Sequence, residues 1–344
     1  MKKLLTTAIL AVLLYADPAL AYKLATGRYT GNIADDRTID ISDWSNPTVA
    51  DFQPDAVVVK CDSANHAMFR NSSMGSSEAL QMAVGNVTMI SNTIQSFTTN
   101  GFVVGSDARA NASGASCYFV AWGYDANNDM AVGTYVGDGT TDARPIDISA
   151  TSVGSVPDFQ PEWCAIFEQS AGTANDGSWR SSNFAANSSA NFSASAFDAN
   201  AIESFDANGI VVGTSGLVNE LDSNYFYICT KQVSASFSKS GNYTGNGTSQ
   251  SFTSFTFQPQ VIFVKGNSAT TATAIKIPSM TTDVRCRTDA TTCSTGGATI
   301  DADGFSVGSS TAVNESSVVM QYYAFRAPSY AGATARHVGP IHFP

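Results

Sequence analysis

The sequence predicts an all-β protein made of three tandem antiparallel β-sandwich modules, jelly-roll-like in kind. Four short signatures recur in the same order three times along the 344 residues. Turn-forming residues separate short apolar or aromatic runs throughout the chain, as in antiparallel sandwiches. Few segments show a helical period of useful length, so the repeats are expected to form sheets.

The first signature is an expected opening hairpin, in which a tyrosine stands among turn-forming glycines. Its copies are Gly27–Asn32, Gly133–Gly139 and Gly241–Gly247. Glycine, and the Asn-Gly and Asp-Gly pairs, supply the positive φ angles that tight turns need.

The second signature places a proline just before a short apolar run. Its copies are Phe52–Asp55, Phe159–Glu162 and Phe257–Gln260. Proline fixes φ and lacks an N–H, so it does no harm where a strand begins. Each run that follows is therefore expected to be a strand.

The third signature is a hairpin with Asn-Gly or Asp-Gly between apolar flanks, in residues 94–105, 202–213 and 300–308. This pattern is a strong short-range signal for a hairpin. The fourth signature is an aromatic strand that closes each module. Its copies are Tyr118–Trp122, Tyr225–Cys229 and Val319–Phe325.

These repeats divide the chain into segments, and the modules are expected to stand in a row. The segments are a secretory signal (1–21), module 1 (22–126), module 2 (127–233), module 3 (234–327) and an extended tail (328–344). The signal assignment depends on Lys2-Lys3, an apolar run and a small-residue cleavage site. A retained, membrane-associated N-terminus is the alternative. The tail is either an arm that docks on a neighbouring subunit or a disordered terminus, and residues 22–26 could serve as a second arm.

Charge and hydropathy exclude two classes of partner. Acidic residues outnumber basic ones by 29 to 18 and neither sign is clustered, so no basic stripe is available to bind nucleic acid. No stretch after the signal is apolar for long enough to span a membrane stably. Only 14% of residues are charged, and the many Ser, Thr, Asn and Gly residues suit an extracellular or virion-type surface.

The repeated motifs resemble a β-sandwich module of bacteriophage tail, fibre and other virion-surface proteins, which often neighbours concanavalin-like or laminin-G-like domains. The likeness depends on Tyr-Thr-Gly-Asn-Gly, Phe-Gln-Pro-Asp, Asp-Gly-Phe-x-Val-Gly-Ser and the closing aromatic strand. It covers nearly all of 27–327, implies the fold and assigns no catalytic residues. The secretory signal and the module-specific cysteines depart from it. Both favour a bacterial surface protein, an extracellular filament subunit or a virion protein matured in the envelope.

Two cysteines fall in each module, which favours disulfides within modules in an exported protein. The expected pairs are Cys61–Cys117, Cys164–Cys229 and Cys286–Cys293. If the proline-initiated and closing strands are antiparallel neighbours, the first pair sets Val57 opposite Ala121. The second module's pair then occupies those same two positions, so both bonds fit one register. The third pair, seven residues apart, would close a loop. Free buried cysteines are the alternative.

Three segments differ among the modules and are interpreted as loops with one or two irregular strands, which carry recognition: 62–92, 169–200 and 266–298. Trp179, which follows Gly177 and Ser178, is the best candidate for stacking on a sugar, with Arg180 beside it. Trp122 and Trp163 lie in predicted strands, where core packing is the favoured interpretation. Trp44 is a further aromatic that invites a sugar contact.

No catalytic, metal or cofactor site is predicted. The three histidines, His66, His337 and His342, have no metal-ligand or triad spacing. Asp55 and Glu162 could form a glycosidase pair, but module 3 has glutamine at that position, which favours a turn or edge role. The loop 125–129 is rich in calcium-type oxygens, and an intermodule turn is the favoured alternative.

The sequence therefore favours a non-catalytic structural or interaction protein that is secreted, on the cell surface or in a virion, and is not an enzyme. Its expected partners are further copies of itself or other surface or virion proteins. A carbohydrate-binding adhesin or receptor-binding protein is the second hypothesis, with a glycan as ligand. A polysaccharide hydrolase is the third.

Overall fold

The computed structural model describes residues 22–41, 52–83, 89–124, 128–169, 175–231, 235 and 237–326. Within them the chain is all-β, with three antiparallel sheet pairs and four one-turn helices, as predicted. The signal, the tail, Trp44, His337 and His342 lie outside the described residues. The expectation of an arm at 22–26 is wrong, because Tyr22 is buried and Lys23 begins the first strand.

The strands fall into three sets with one recurring order. The first set is β1 Lys23–Thr30, β2 Arg37–Asp40, β3 Ala56–Cys61, β4 Met68–Asn71, β5 Glu78–Gln81, β6 Ile90–Ser91, β7 Ile94–Thr98, β8 Gly101–Val104, α1 Ala108–Asn111 and β9 Ser116–Gly123. The second is β10 Met130–Val136, β11 Arg144–Asp147, α2 Ile148–Thr151, β12 Trp163–Gln169, β13 Ser178–Ser181, β14 Ala190–Asn191, β15 Ile202–Phe205, β16 Gly209–Val212, α3 Gly216–Asn219 and β17 Asn224–Thr230. The third is β18 Ser238–Thr244, β19 Gln250–Phe252, β20 Val261–Gly266, β21 Ala274–Lys276, β22 Cys286–Arg287, β23 Ala298–Asp301, β24 Gly304–Val307, α4 Thr311–Asn314 and β25 Val319–Phe325.

Each set builds one large and one small sheet. The large sheets have the orders β1-β9-β3-β4-β5-β6, β10-β17-β12-β13-β14 and β18-β25-β20-β21-β22. The small sheets are β2-β8-β7, β11-β16-β15 and β19-β24-β23. The proline-initiated strand therefore pairs with the closing aromatic strand in every module, and the third signature forms the hairpin of every small sheet.

The opening signature does not form a hairpin, contrary to expectation. The strands on either side of it belong to different sheets: β1 pairs with β9, whereas β2 pairs with β8. The signature is thus a corner that carries the chain from the large sheet to the small one. A Cβ at Gly31 would lie 2.0 Å from the carbonyl oxygen of Ala112, so this corner packs too closely on the helix end to accept a side chain.

The structure contains the three expected disulfides, Cys61–Cys117, Cys164–Cys229 and Cys286–Cys293. The first two join β3 to β9 and β12 to β17. Val57 lies opposite Ala121, which is the register predicted from the cysteine positions. Three disulfides suggest an oxidising, extracellular environment.

The central strands of the large sheets bury both faces, and the two faces serve different cores. On β3, Val57 and Val59 face the module's own small sheet, whereas Ala56 and Val58 point the opposite way. The first face closes a private core, and modules 2 and 3 have their own private cores as well. The second face joins a core shared by all three modules, which we call the central core.

Aromatic rings connect all three module pairs in the central core. Phe69 of module 1 stacks on Phe167 of module 2 at 4.2 Å between ring centroids. Trp163 of module 2 stacks on Phe263 of module 3 at 5.5 Å. The ring of Tyr22 in module 1 meets the module 3 ring of Phe325 edge-on. The expectation of three sandwiches in a row is therefore wrong: the large sheets pack around a common axis.

A ring of backbone hydrogen bonds closes this arrangement. The N–H groups of Ala67, Gly177 and Thr273 occupy equivalent positions, and each donates to a carbonyl of another module. The acceptors are Thr288, Met82 and Phe192, at N to O distances of 2.8, 3.1 and 3.1 Å. Within each module the N–H of the acceptor residue donates in turn to the carbonyl of Ala67, Gly177 or Thr273. Module 1 thus bonds to 3, 3 to 2 and 2 to 1, as in a closed head-to-tail ring of subunits.

The variable segments, expected to be loops with one or two irregular strands, supply much of this ring through strands that belong to the large sheets. They contain β4, β5 and β6 in module 1, β13 and β14 in module 2, and β21 and β22 in module 3. Their apolar side chains enter the central core. None of the helices in the described part of the chain has the length and apolar character that a bilayer span requires.

Candidate functional site

Trp179 does not lie in an exposed loop, so the predicted sugar contact is wrong for this residue. It occupies β13, its side chain faces the central core, and its exposure is 0%. Its indole Nε1 donates to the Thr273 Oγ1 of module 3 at 3.0 Å. The ring meets Phe184 edge-on. Trp179 therefore holds two modules together and offers no free ring face to a ligand. Trp122 and Trp163 are buried in the same core, as predicted.

Arg180, the next residue, points the other way, into the space between the two sheets of module 2. Only 5% of it is exposed, and its guanidinium lies 6.0 Å from the Phe205 ring centroid. The NH1 group donates to the carbonyls of Ala185 and Ser188, and NH2 donates to that of Phe184. Burial lowers the pKa of Arg180 to about 10. The side chain thus fastens the loop after β13 to the sandwich interior.

Arg180 also lines an open cleft of about 540 Å³ at the end of this sandwich. Gln160, Glu162, Ser182 and Phe205 contribute to its walls. Gln160 and Ser182 are exposed, whereas Glu162 is buried at the base. The volume lies within the range of small-molecule sites. The cleft is the feature of module 2 that best suits a polar ligand.

The buried cation is repeated in every module, a pattern that the sequence analysis missed. Arg70 and Lys276 occupy the position of Arg180, since all three face equivalent residues of the neighbouring strand. Arg180 and Lys276 donate to carbonyls of the loop that follows their strand, and Arg70 donates to the carbonyl of Glu78 at the start of β5. A buried apolar residue stands four positions later in each copy: Met74, Phe184 and Met280. This spacing is visible in the sequence and could have identified the segments as ordered.

The two carboxylates considered as a glycosidase pair belong to different modules and hold scaffold contacts. The Asp55 carboxylate accepts from the backbone N–H of Tyr124 at 2.9 Å. The Glu162 carboxylate accepts from Ser182 of its own module and Ser240 of module 3, each at 2.7 Å. These contacts favour the turn and edge roles that the sequence suggested.

The opening corners are fixed by a repeated buried asparagine at the end of a short helix. In module 2 the Asn219 Oδ1 accepts from the N–H of Asp138 and from Arg144, at 3.0 and 2.9 Å. Its Nδ2 donates to the Asp138 carboxylate and to the carbonyl of Thr141. In the other modules the Oδ1 of Asn111 and of Asn314 likewise accepts from a corner N–H, and the Nδ2 donates to a corner carbonyl. Each corner is therefore exposed at its tip and rigid at its base.

Among the described residues, no three His, Cys, Asp or Glu side chains come together as a metal site. His66 is half-buried, and burial lowers its pKa. Of the loop 125–129, only Asn128 and Asp129 are described, and the Asp129 carboxylate lies 3.6 Å from the Lys231 ammonium. This ion pair joins the two ends of module 2.

Comparison with known proteins finds no family model and no curated protein that matches this chain. The resemblance to virion-surface modules therefore stays a prediction.

Proposed function

We propose that this chain is an exported, non-catalytic structural or interaction protein of a cell surface, extracellular filament or virion. The observation that carries the proposal is the central core. Three modules that would each leave one sheet face exposed instead bury it against one another. The ring of Ala67, Gly177 and Thr273 then closes the assembly. One chain thus builds the kind of threefold body that symmetric proteins build from three subunits.

Several features suit such a role outside the cytoplasm. Three disulfides lie in the described chain, and disulfides of this kind contribute about 2–4 kcal/mol each to stability. The opening corners give the body three rigid, outward-facing elements. Export itself depends on the predicted signal at 1–21.

Electron microscopy and light scattering of the mature protein at rising concentration would test the proposal. We expect regular self-association, or regular association with a surface partner, that survives high concentration without amorphous aggregation. A variant that ends at residue 327 separates assembly through the tail from assembly through the modules. A protein that stays a bare monomer at every concentration, and is captured by no surface structure, would contradict the proposal.

Carbohydrate binding is the second candidate function, and the cleft at Arg180 favours it. Its polar groups suit sugar hydroxyls, and the half-buried ring of Phe205 takes the place that the sequence analysis gave to Trp179. Ser182→Trp would fill the cleft, while Thr140→Trp changes an exposed turn of the same module and serves as the matched control. Retention on a glycan array that Ser182→Trp abolishes and Thr140→Trp preserves would support this function.

A further inference from the structure

In each module a central strand of the large sheet contacts the short helix that precedes the closing strand. The residues at this contact differ among the modules. The paired positions on the two central strands hold the disulfide Cys61–Cys117 in module 1. In module 3 they hold Gly266 and Met320. Module 2 places Glu168 opposite Tyr225. Only module 2 therefore has an ionisable group at this point of its interior.

Glu168 is buried without a compensating cation. Its exposure is 5%, and neither carboxylate oxygen has a hydrogen-bond partner of normal geometry among the described residues. The Tyr225 hydroxyl cannot neutralise it, because that hydroxyl donates to the carbonyl of Gly216 and accepts from the N–H of Glu220. Burial and the adjacent Glu220 raise the pKa of Glu168 to about 7. An ionised carboxylate in such a position is costly unless a positive charge joins it.

Two of the polar groups around Glu168 lie at the edge of an open cavity. Glu220, Asn175 and Ser223 are its polar neighbours. The Asn175 Nδ2 lies 3.0 Å from the Glu220 Oε2. A flip of this amide would place its carbonyl oxygen, in place of the nitrogen, beside the Glu220 carboxylate. Asn175 and Glu220 line a cavity of about 380 Å³, which leaves room for an ion and for water ligands.

We propose that Glu168 and Glu220 hold a calcium ion in module 2, with the Asn175 amide oxygen, the Ser223 hydroxyl and water completing its coordination. Oxygen-only donors suit Ca²⁺, whereas zinc and copper sites use nitrogen or sulfur. With two carboxylates the affinity should fall in the class of extracellular calcium modules, about 10⁻⁴–10⁻³ M. The ion would join the end of α3 to β12, as the disulfide Cys61–Cys117 joins two strands in module 1.

The test uses the full chain at about pH 7.5 with CaCl₂ or EDTA. At about 10 mM CaCl₂, binding of this affinity should lower the equilibrium constant of unfolding about 10–100-fold. Glu168→Gln and Glu220→Gln should each abolish the effect. Glu315→Gln is the matched control, because Glu315 caps α4 as Glu220 caps α3, while module 3 has Gly266 at the position of Glu168.

Terbium luminescence gives a second measurement on the unaltered chain. Tb³⁺ takes the oxygen donors that Ca²⁺ takes, and Tyr225, bonded to Glu220 at 2.7 Å, would sensitise it. We expect emission that CaCl₂ displaces and that Glu168→Gln removes. Stability of the unaltered chain that does not respond to CaCl₂, or responds equally in Glu168→Gln, would overturn the proposal. It would show that the carboxyl pair is held by a shared proton alone.

Discussion

Replacing Trp163 by alanine tests whether the three modules share one core. The indole is 1% exposed and stacks on Phe263 and Tyr323 of module 3, at 5.5 and 5.7 Å. It also stacks on Trp122 of module 1 at 6.5 Å. Truncation of a buried tryptophan costs about 3–5 kcal/mol, and the loss of several aromatic pairs places Trp163 at the upper end of that range. We expect a loss of about 5 kcal/mol in the free energy of unfolding.

Hydrogen exchange, followed by module, is the informative assay. The lost contacts belong to modules 1 and 3 as well as to module 2, so protection should fall in β9 and β25 together with β12. Ile210→Ala is the matched control, because Ile210 is fully buried in the private core of module 2. It should cost about 2–5 kcal/mol and first increase openings within module 2.

A loss of protection confined to module 2 would contradict this prediction. If Trp163→Ala lowers protection in module 2 alone, and urea unfolding then shows separate transitions for the other modules, the central core does not couple them. The stacked rings would in that case be contacts between independent sandwiches, and the proposal of a single threefold body would fail.

Further predictions address the ring, the corners and a buried lysine. Gly177→Ala should cost about 1–3 kcal/mol in urea unfolding, because a Cβ would lie 2.4 Å from Phe167. Ala67→Gly, the reverse change at the equivalent position of module 1, should cost less. An unchanged urea midpoint for Gly177→Ala would refute the packing argument. Asn219→Ala should cost about 1–3 kcal/mol by the same assay, since it leaves buried partners without their hydrogen bonds; a neutral effect would show that the corner is not fixed there. Burial lowers the pKa of Lys265 to about 8 from its ordinary 10.5. The cost of burying its charge is thus present below pH 8 and disappears as the pH rises towards 10.5, so the unfolding free energy should gain about 1–2 kcal/mol between about pH 7 and 9.5. Lys265→Met should lack this gain, and equal pH slopes in both proteins would contradict the assignment.

Much of the fold could be predicted because its signals are local. The prolines and the Asn-Gly or Asp-Gly pairs mark strand starts and hairpins through backbone geometry alone. The disulfide register followed from the spacing of the cysteines between two copies of the repeat, and the structure has Cys164 opposite Cys229. The one-turn helices α1 to α4 were missed because four residues carry no helical period.

The packing of modules on one another could not be predicted from the same signals. A strand such as Val261–Gly266 is apolar on both faces, and this shows that both faces are buried without showing what covers each one. The variable segments were interpreted as loops because they share few residue types. In each segment, however, a cationic residue stands four positions before an apolar residue, and both are buried. This spacing was the available signal that the segments are ordered, and Trp179 lies next to the cationic residue of module 2.

The closed ring of modules also determines which segments are exposed to a partner. The segments that differ most among the modules face inward, so sequence divergence there reflects how three unlike surfaces fit around one axis. The central core is asymmetric for this reason: Phe167 stacks on Phe69 at one junction, while the equivalent Lys265 donates to the carbonyl of Ser195 at another. What remains outside and fixed in position are the opening corners, at residues 31–36, 137–143 and 245–249, each held by its buried asparagine. The proposed interaction with a partner would therefore meet a different, rigid surface at each of these corners.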